Sequence, residues 1–171
     1  MYPPLAAQAI CDDNSHAMRS VFVVTALALA SGVPAGAEAQ QSYYAPRAEA
    51  QIQRLAASWA SRGFVRTGDL RVGVLGERER DSLALELESG LQYVLLGICD
   101  EDCGDIDLHL FAPAGKEIAF EGKTSSRAVL WMTPLSAGAH RLEVVMLRCG
   151  TPPCYYAVQL LRGPPAPNQP R

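Results

Sequence analysis

From residue 82 to residue 161 the chain alternates apolar and polar residues in short runs, and this period of two restricts its fold more than any other feature. Successive side chains of a β-strand point to opposite faces, so each run predicts a strand with one buried face. The clearest inward sets are Leu83, Leu85 and Leu87 in one run and Ile106, Leu108 and Leu110 in another.

Turn-forming residues separate the runs, and the predicted strands cover residues 70–75, 82–88, 91–98, 106–111, 117–121, 128–133, 140–147 and 155–161. The run 91–98 is apolar on both faces and is expected to be a central strand. We expect Ile118 and Phe120 to point inward, and Val129 with Trp131 to share the inner face of another strand. About seven or eight short strands without helical crossovers predict an all-β fold, an antiparallel β-sandwich or jelly roll.

One N-terminal amphipathic helix is predicted before the strands, over residues 47–62. Its apolar residues recur at helical spacing, and we expect the Trp59 side of the helix to pack on the sandwich. The alternative is an exposed face that docks a partner or a membrane surface. Residues 40–46 are expected to be a loose polar leader. The apolar positions are Ile52, Leu55, Ala56, Trp59 and Ala60.

The first 39 residues are typical of a signal peptide. Arg19 precedes an apolar run over residues 21–30, and Ala37 and Ala39 flank one position as in a cleavage site. The run is shorter than the roughly 20 residues that span a bilayer, which disfavours the alternative of an uncleaved anchor. Residues 1–17 make a poor n-region, so a start at Met18 is the alternative to a start at Met1. With either start we expect cleavage after Ala39 and a periplasmic or secreted protein.

The domain plan that follows has four parts. Residues 1–39 form the signal peptide, residues 40–69 the leader and helix, and residues 70–162 the β-sandwich. Residues 163–171 are rich in proline, which removes backbone donors, and are expected to be a disordered tail.

Four cysteines remain after cleavage, and an even number in an exported chain predicts two disulfides. Three pairings are possible, and we favour the two local ones because each pair brackets its own turn. A zinc site of four thiolates is the alternative, because three and four intervening residues suit zinc spacing. The cysteines are Cys99, Cys103, Cys149 and Cys154.

An acidic stretch lies between and just after the first two cysteines. Calcium takes six to eight oxygen ligands, so these carboxylates are candidates for a calcium site. The alternative is a solvated acidic loop whose side chains hydrogen-bond the backbone of a turn. The candidate calcium ligands are Asp100, Asp102, Asp105 and Asp107, with Asp105 and Asp107 on one strand face.

Few residues suggest catalysis or nucleic-acid binding. The net charge is -3 and no basic field is present, so nucleic acid is not expected as a partner. The chain has no G-x-S-x-G or H-E-x-x-H motif, and we expect His109 and His140 at the surface, so we predict no enzyme. A hydrolase with a diffuse site is a further alternative. So is a sugar-binding platform built from Tyr43, Tyr44, Trp59, Tyr93, Trp131, Tyr155 and Tyr156.

Residues 70–161 resemble the bacterial pre-peptidase C-terminal (PPC) domain family. The likeness rests on the run Asp105-Ile106-Asp107-Leu108 leading into a strand, and on later turns at Gly115 and Gly138. The resemblance implies a small jelly roll that assists secretion, solubility or substrate contact, and some relatives bind calcium. Residues 121–127 depart from the family because they lack an Asp-rich loop.

Together these observations predict an exported, non-enzymatic interaction or accessory module with a protein or polysaccharide partner. A calcium-dependent carbohydrate- or peptide-binding module is the alternative.

Overall fold

The computed structural model describes residues 35–164, with side chains from residue 45 onward. Most of the predicted signal peptide (residues 1–34) and residues 165–171 of the predicted tail lie outside the described residues. The described elements are α1 (Ala35–Ala60), β1 (Val65–Leu75), β2 (Arg80–Leu87), β3 (Tyr93–Cys99), β4 (Cys103–Phe111), β5 (Glu117–Glu121), β6 (Arg127–Met132), β7 (Gly138–Cys149) and β8 (Cys154–Arg162).

The strands form two antiparallel sheets of four strands each. The first sheet has the order β1-β8-β3-β6 and the second the order β2-β7-β4-β5. Consecutive strands cross between the sheets except for β4 and β5, which form a hairpin in the second sheet, and this order is that of an eight-stranded jelly roll. The predicted all-β antiparallel β-sandwich with one N-terminal helix is confirmed.

The main core lies between the two sheets, where the alternating residues of the sequence meet. Ile106, Leu108 and Leu110 of β4 are fully buried there, opposite Leu95 of β3. Strand β3 is buried along its whole length, as expected for a central strand with a layer on each side.

Helix α1 covers the outer face of the first sheet and makes a second core. Ile52 and Trp59 of the helix are buried against Leu96, Ile98 and Leu161. The predicted packing of the Trp59 side on the sandwich is confirmed, and the central strands β3 and β8 of the first sheet are thereby buried on both faces.

The helix is longer than predicted. It begins at Ala35, so residues 40–46 continue the helix and the expectation of a loose leader was wrong. Residues 35–41 are mostly alanine, glutamate and glutamine, which favour helix and outweigh the backbone donor missing at Pro46.

The predicted positions of two further residues were also wrong. Trp131 points to the helix side of the first sheet and is 51% exposed, because Ala128 and Leu130 take the inward positions of β6. His140, expected at the surface, is an inward residue of β7 and only 1% exposed.

Candidate functional site

The cysteines form two disulfides, Cys99–Cys103 and Cys149–Cys154, with Cα atoms 5.8 and 5.9 Å apart. This is the local pairing that the sequence favours. Cysteines bonded in this way cannot act as the four thiolate ligands of the alternative zinc site. Cys103 lies opposite Cys149 in the register of β4 and β7, so the two disulfides sit side by side at one end of the sandwich. Such pairs are typical of proteins that fold in an oxidising environment.

Hydrogen bonds tie the acidic stretch to the neighbouring cysteine loop. The Asp100 amide donates to the Tyr155 carbonyl over 3.0 Å, and the Tyr155 amide donates to Asp100 Oδ2 over 2.8 Å. The Gly150 amide also donates to the Asp102 carbonyl over 2.8 Å. Asp100 is therefore a structural residue that joins two disulfide loops.

Helix α1 is held by the same stretch. Arg47 forms an exposed salt bridge with Glu101, 2.9 Å between Nη1 and Oε1.

Burial raises the pKa of the Asp100 carboxyl, and the nearby charges of Asp102 and Glu101 raise it further, while hydrogen bonds from backbone amides lower it.

The other two candidate calcium ligands lie on β4. Asp105 accepts a hydrogen bond from the Ser125 amide over 3.0 Å. Asp107 is 5% exposed, and its Oδ1 has no hydrogen-bond partner. Burial raises the pKa of Asp107, the charges of Asp105 and Glu121 add to this, and His109 opposes it.

The four aspartates therefore divide between a loop and a strand. Within residues 35–164, no three His, Cys, Asp or Glu side chains come together as a group that could hold a metal ion. Asp100 and Asp105 are buried carboxylates that accept hydrogen bonds from backbone amides, whereas Asp107 is buried with one oxygen unpartnered.

A different surface carries exposed aromatic residues. The prediction that Ile118 and Phe120 point inward was wrong: they are 41% and 53% exposed on the outer face of the second sheet. The register explains this, because Ala119 lies opposite the inward residue Leu110, and Phe120 lies opposite His109.

We call this surface the aromatic face, defined by His109, Phe111, Ile118 and Phe120. The ring of His109 lies between the two phenylalanine rings, with centroids 4.5 Å from Phe120 and 6.5 Å from Phe111. The guanidinium of Arg141 stacks on Phe111 at 4.0 Å. The face thus presents a row of flat apolar groups that ends in a cation.

Carboxylates border this row and fix its polar groups. His109 Nδ1 lies 3.5 Å from Glu117 Oε2, and Arg141 contacts Glu143. Arg80 approaches the other oxygen of Glu143 at 3.5 Å. The arrangement can stack on a flat apolar group of a partner while its polar groups make hydrogen bonds.

The sequence alone predicts part of the aromatic face. The alternation that buries Leu108 and Leu110 also turns His109 and Phe111 outward. The short run 117–121 alternates equally well in either register, so the position of Phe120 depends on how β5 pairs with β4.

Among the residues from 45 onward, the aromatic side chains of the alternative sugar-binding platform do not form one exposed surface. Trp59, Tyr93, Tyr155 and Tyr156 are all buried, and the side chains of Tyr43 and Tyr44 lie outside the described residues. Trp131 is exposed, but its ring packs edge-on against Trp59 and Phe64, with centroids 4.8 and 5.4 Å away.

Fold and site together define a small disulfide-linked jelly-roll domain with one sheet covered by a helix and an exposed aromatic face on the other. A scan against models of protein families and a search of the curated proteins find no match to this chain. Among the residues described, no helix is long and apolar enough to cross a membrane.

Proposed function

We propose that this protein is an exported, non-enzymatic interaction module that docks a protein or polysaccharide partner on its aromatic face. The observation that carries the proposal is the contrast between the two sheets. Helix α1 buries the outer side of the central strands β3 and β8 of the first sheet, whereas Ile118 and Phe120 stay exposed on the second. Exposed apolar groups bordered by polar residues are typical of interaction surfaces.

Export is supported by two observations that agree. The signal-like segment precedes the domain, and two disulfides are present. Disulfides persist in extracytoplasmic compartments and are rare in the cytosol.

The absence of catalysis is proposed from the surroundings of the candidate groups. All four cysteines of the described residues are in disulfides, which leaves no free thiol there. His140 is buried with Nδ1 2.9 Å from the Gly138 carbonyl oxygen, and His109 lies beside Glu117. Across residues 45–164, neither histidine is hydrogen-bonded to a hydroxyl side chain that it could activate.

Export is tested by the intact mass of the protein recovered from the periplasm or medium of a bacterial host. We expect the mass of residues 40–171, and an increase of four hydrogens on reduction because two disulfides open. Recovery of the full-length, reduced chain from the cytoplasm alone would overturn the proposal of export.

Docking is tested with a photo-crosslinking residue at position 120 and, as a control, at position 135. Leu135 is 98% exposed, lies in the turn before β7 and is not one of the four residues that define the aromatic face. The crosslinked partner is purified and its affinity measured for the wild type, Phe120→Ala and Leu135→Ala. Isolated cell-wall polysaccharide is assayed in parallel.

We expect Phe120→Ala to weaken binding by at least about tenfold, since a central aromatic contact contributes about 1.4 kcal/mol or more. Leu135→Ala should bind like the wild type. Equal affinity of all three proteins, or no binding of a purified partner or polysaccharide, would contradict docking on this face.

A further inference from the structure

A cleft of about 530 Å³ lies between strands β1 and β2. These strands are the edge strands of the two sheets, so each pairs with a neighbour on one side only. The cleft therefore opens at the side of the sandwich, away from the aromatic face, and leads toward the core.

The inner face of β1 explains why the sandwich stays open here. Arg71, Gly73 and Leu75 lie opposite Val158, Tyr156 and Cys154, which all belong to the core between the sheets. Directly opposite residues of an antiparallel pair share one face, so Arg71 and Gly73 occupy inward positions. Neither supplies the apolar side chain that such a position normally carries.

Arg71 remains exposed although it faces inward, which shows that solvent enters the cleft at this point. Asp69 is exposed on the same wall, where the pairing of β1 with β8 is irregular between Thr67 and Arg71. Neither residue forms a salt bridge with any residue in the described part of the chain.

The other walls of the cleft are mostly apolar, with Ser82 and Glu86 as the polar residues of the β2 wall. Leu83 and Leu85 line it from β2, and Leu95, Val158 and Leu160 line it from the first sheet. Near the cleft the hydroxyl of Tyr156 donates a hydrogen bond to the Asp81 carboxylate, which joins the two sheets. This bond holds the sheets at a fixed separation beside the opening.

We propose that the cleft binds an extended peptide segment of a partner, with an aliphatic side chain on the leucine floor and a carboxylate on Arg71. The edges of β1 and β2 offer unpaired backbone donors and acceptors, which a peptide strand can satisfy by joining a sheet. The wall formed by residues 82–86 is about 17 Å long, at roughly 3.3 Å per residue, and suits four or five residues.

Two other ligands fit the lining less well. A plain alkyl chain would bury against the leucines but would cover Arg71 and Asp69 without satisfying their charges. The lining also has no aromatic ring on which a sugar could stack. A peptide offers both apolar side chains and a complementary charge.

The test selects random hexapeptides displayed on phage against the disulfide-bonded mature protein. Synthetic copies are then measured by fluorescence anisotropy on the wild type, Arg71→Glu and Arg66→Glu. Arg66 lies on the same strand and is exposed, but it pairs with Leu161 on the helix side of the sheet. We expect Arg71→Glu to weaken binding at least tenfold, and Arg66→Glu to change it less than twofold.

Amide chemical shifts of ¹⁵N-labelled protein locate the bound peptide. We expect the largest changes at residues 67–71 and 82–86, with little change at Phe120, so this result is independent of docking on the aromatic face. Selection of no peptide, equal loss in both arginine variants, or shift changes elsewhere would each overturn the proposal. So would saturable binding of dodecanoate in the cleft with no bound peptide.

Discussion

Ile52→Ala tests whether helix α1 is an integral layer of the domain. Ile52 is fully buried, in the middle of the contact between α1 and the first sheet. The substitution removes three carbons, or about 2.4 kcal/mol at about 0.8 kcal/mol per buried methylene. A cavity that does not collapse adds to this, so we expect a loss of about 2.5–4 kcal/mol in the free energy of unfolding.

The assay is urea unfolding followed by tryptophan fluorescence, because Trp59 and Trp131 are in contact beside this interface. The matched control is Gln53→Ala, at the next residue of the same helix, which is exposed. It should change stability by less than about 0.5 kcal/mol, as surface substitutions usually do.

A loss below about 1 kcal/mol for Ile52→Ala, or equal effects of the two substitutions, would show that the helix does not pack as described. A transition in two steps would show instead that the helix unfolds before the sandwich, since small single domains usually unfold in one cooperative step.

Three further predictions concern the disulfides and the carboxylates. Replacing Cys149 and Cys154 together by serine should cost about 2 kcal/mol, because their sequence separation of 5 closes a short loop; an unchanged urea midpoint would contradict this. Asp107→Asn should stabilise the protein at neutral pH. Burial raises the pKa of Asp107 in the folded protein, so the free energy of unfolding falls as pH rises from about 4 through that raised pKa. The asparagine side chain does not titrate, so the variant lacks this loss. Thermal unfolding between about pH 3.5 and pH 7 measures how stability changes with pH in the wild type and in Asp107→Asn. A steeper loss of stability with rising pH in the variant would contradict a raised pKa of Asp107. Chelation with EDTA should leave the melting temperature unchanged, because the candidate ligands do not converge across residues 35–164, and a drop of several degrees would instead support a calcium site.

The strands were largely predictable because their signal is local. The alternation around Leu83 and Ile106 requires no knowledge of neighbouring strands, and the predicted strands agree with β2 to β8 to within a few residues. The same alternation gave the correct inner face wherever a strand was long and clearly two-sided.

Edge strands and covered faces were less predictable. Strand β5 is five residues long, and the inward side of such a strand depends on its pairing with β4. The prediction that Phe120 points inward was therefore wrong, and the aromatic face was not predicted for the same reason. Trp131 was misassigned because α1 adds a third layer, which gives the first sheet a second buried face.

The acidic stretch shows the same division between local and tertiary information. The sequence identifies its carboxylates, but a cation site and a structural turn need the same residue types. What separates them is the position of the Tyr155 amide beside Asp100, which β8 brings from 55 residues away.

The sequence by itself determined the class of fold, the central strand β3 and the amphipathic character of α1, because these depend on the spacing of apolar residues along the chain. Only the tertiary structure decided which sheet the helix covers, which side of β5 faces solvent, and that Arg71 points into an open cleft. Each of these depends on register and layer contacts between distant segments, and a one-residue change in register reverses the face of every side chain in a strand.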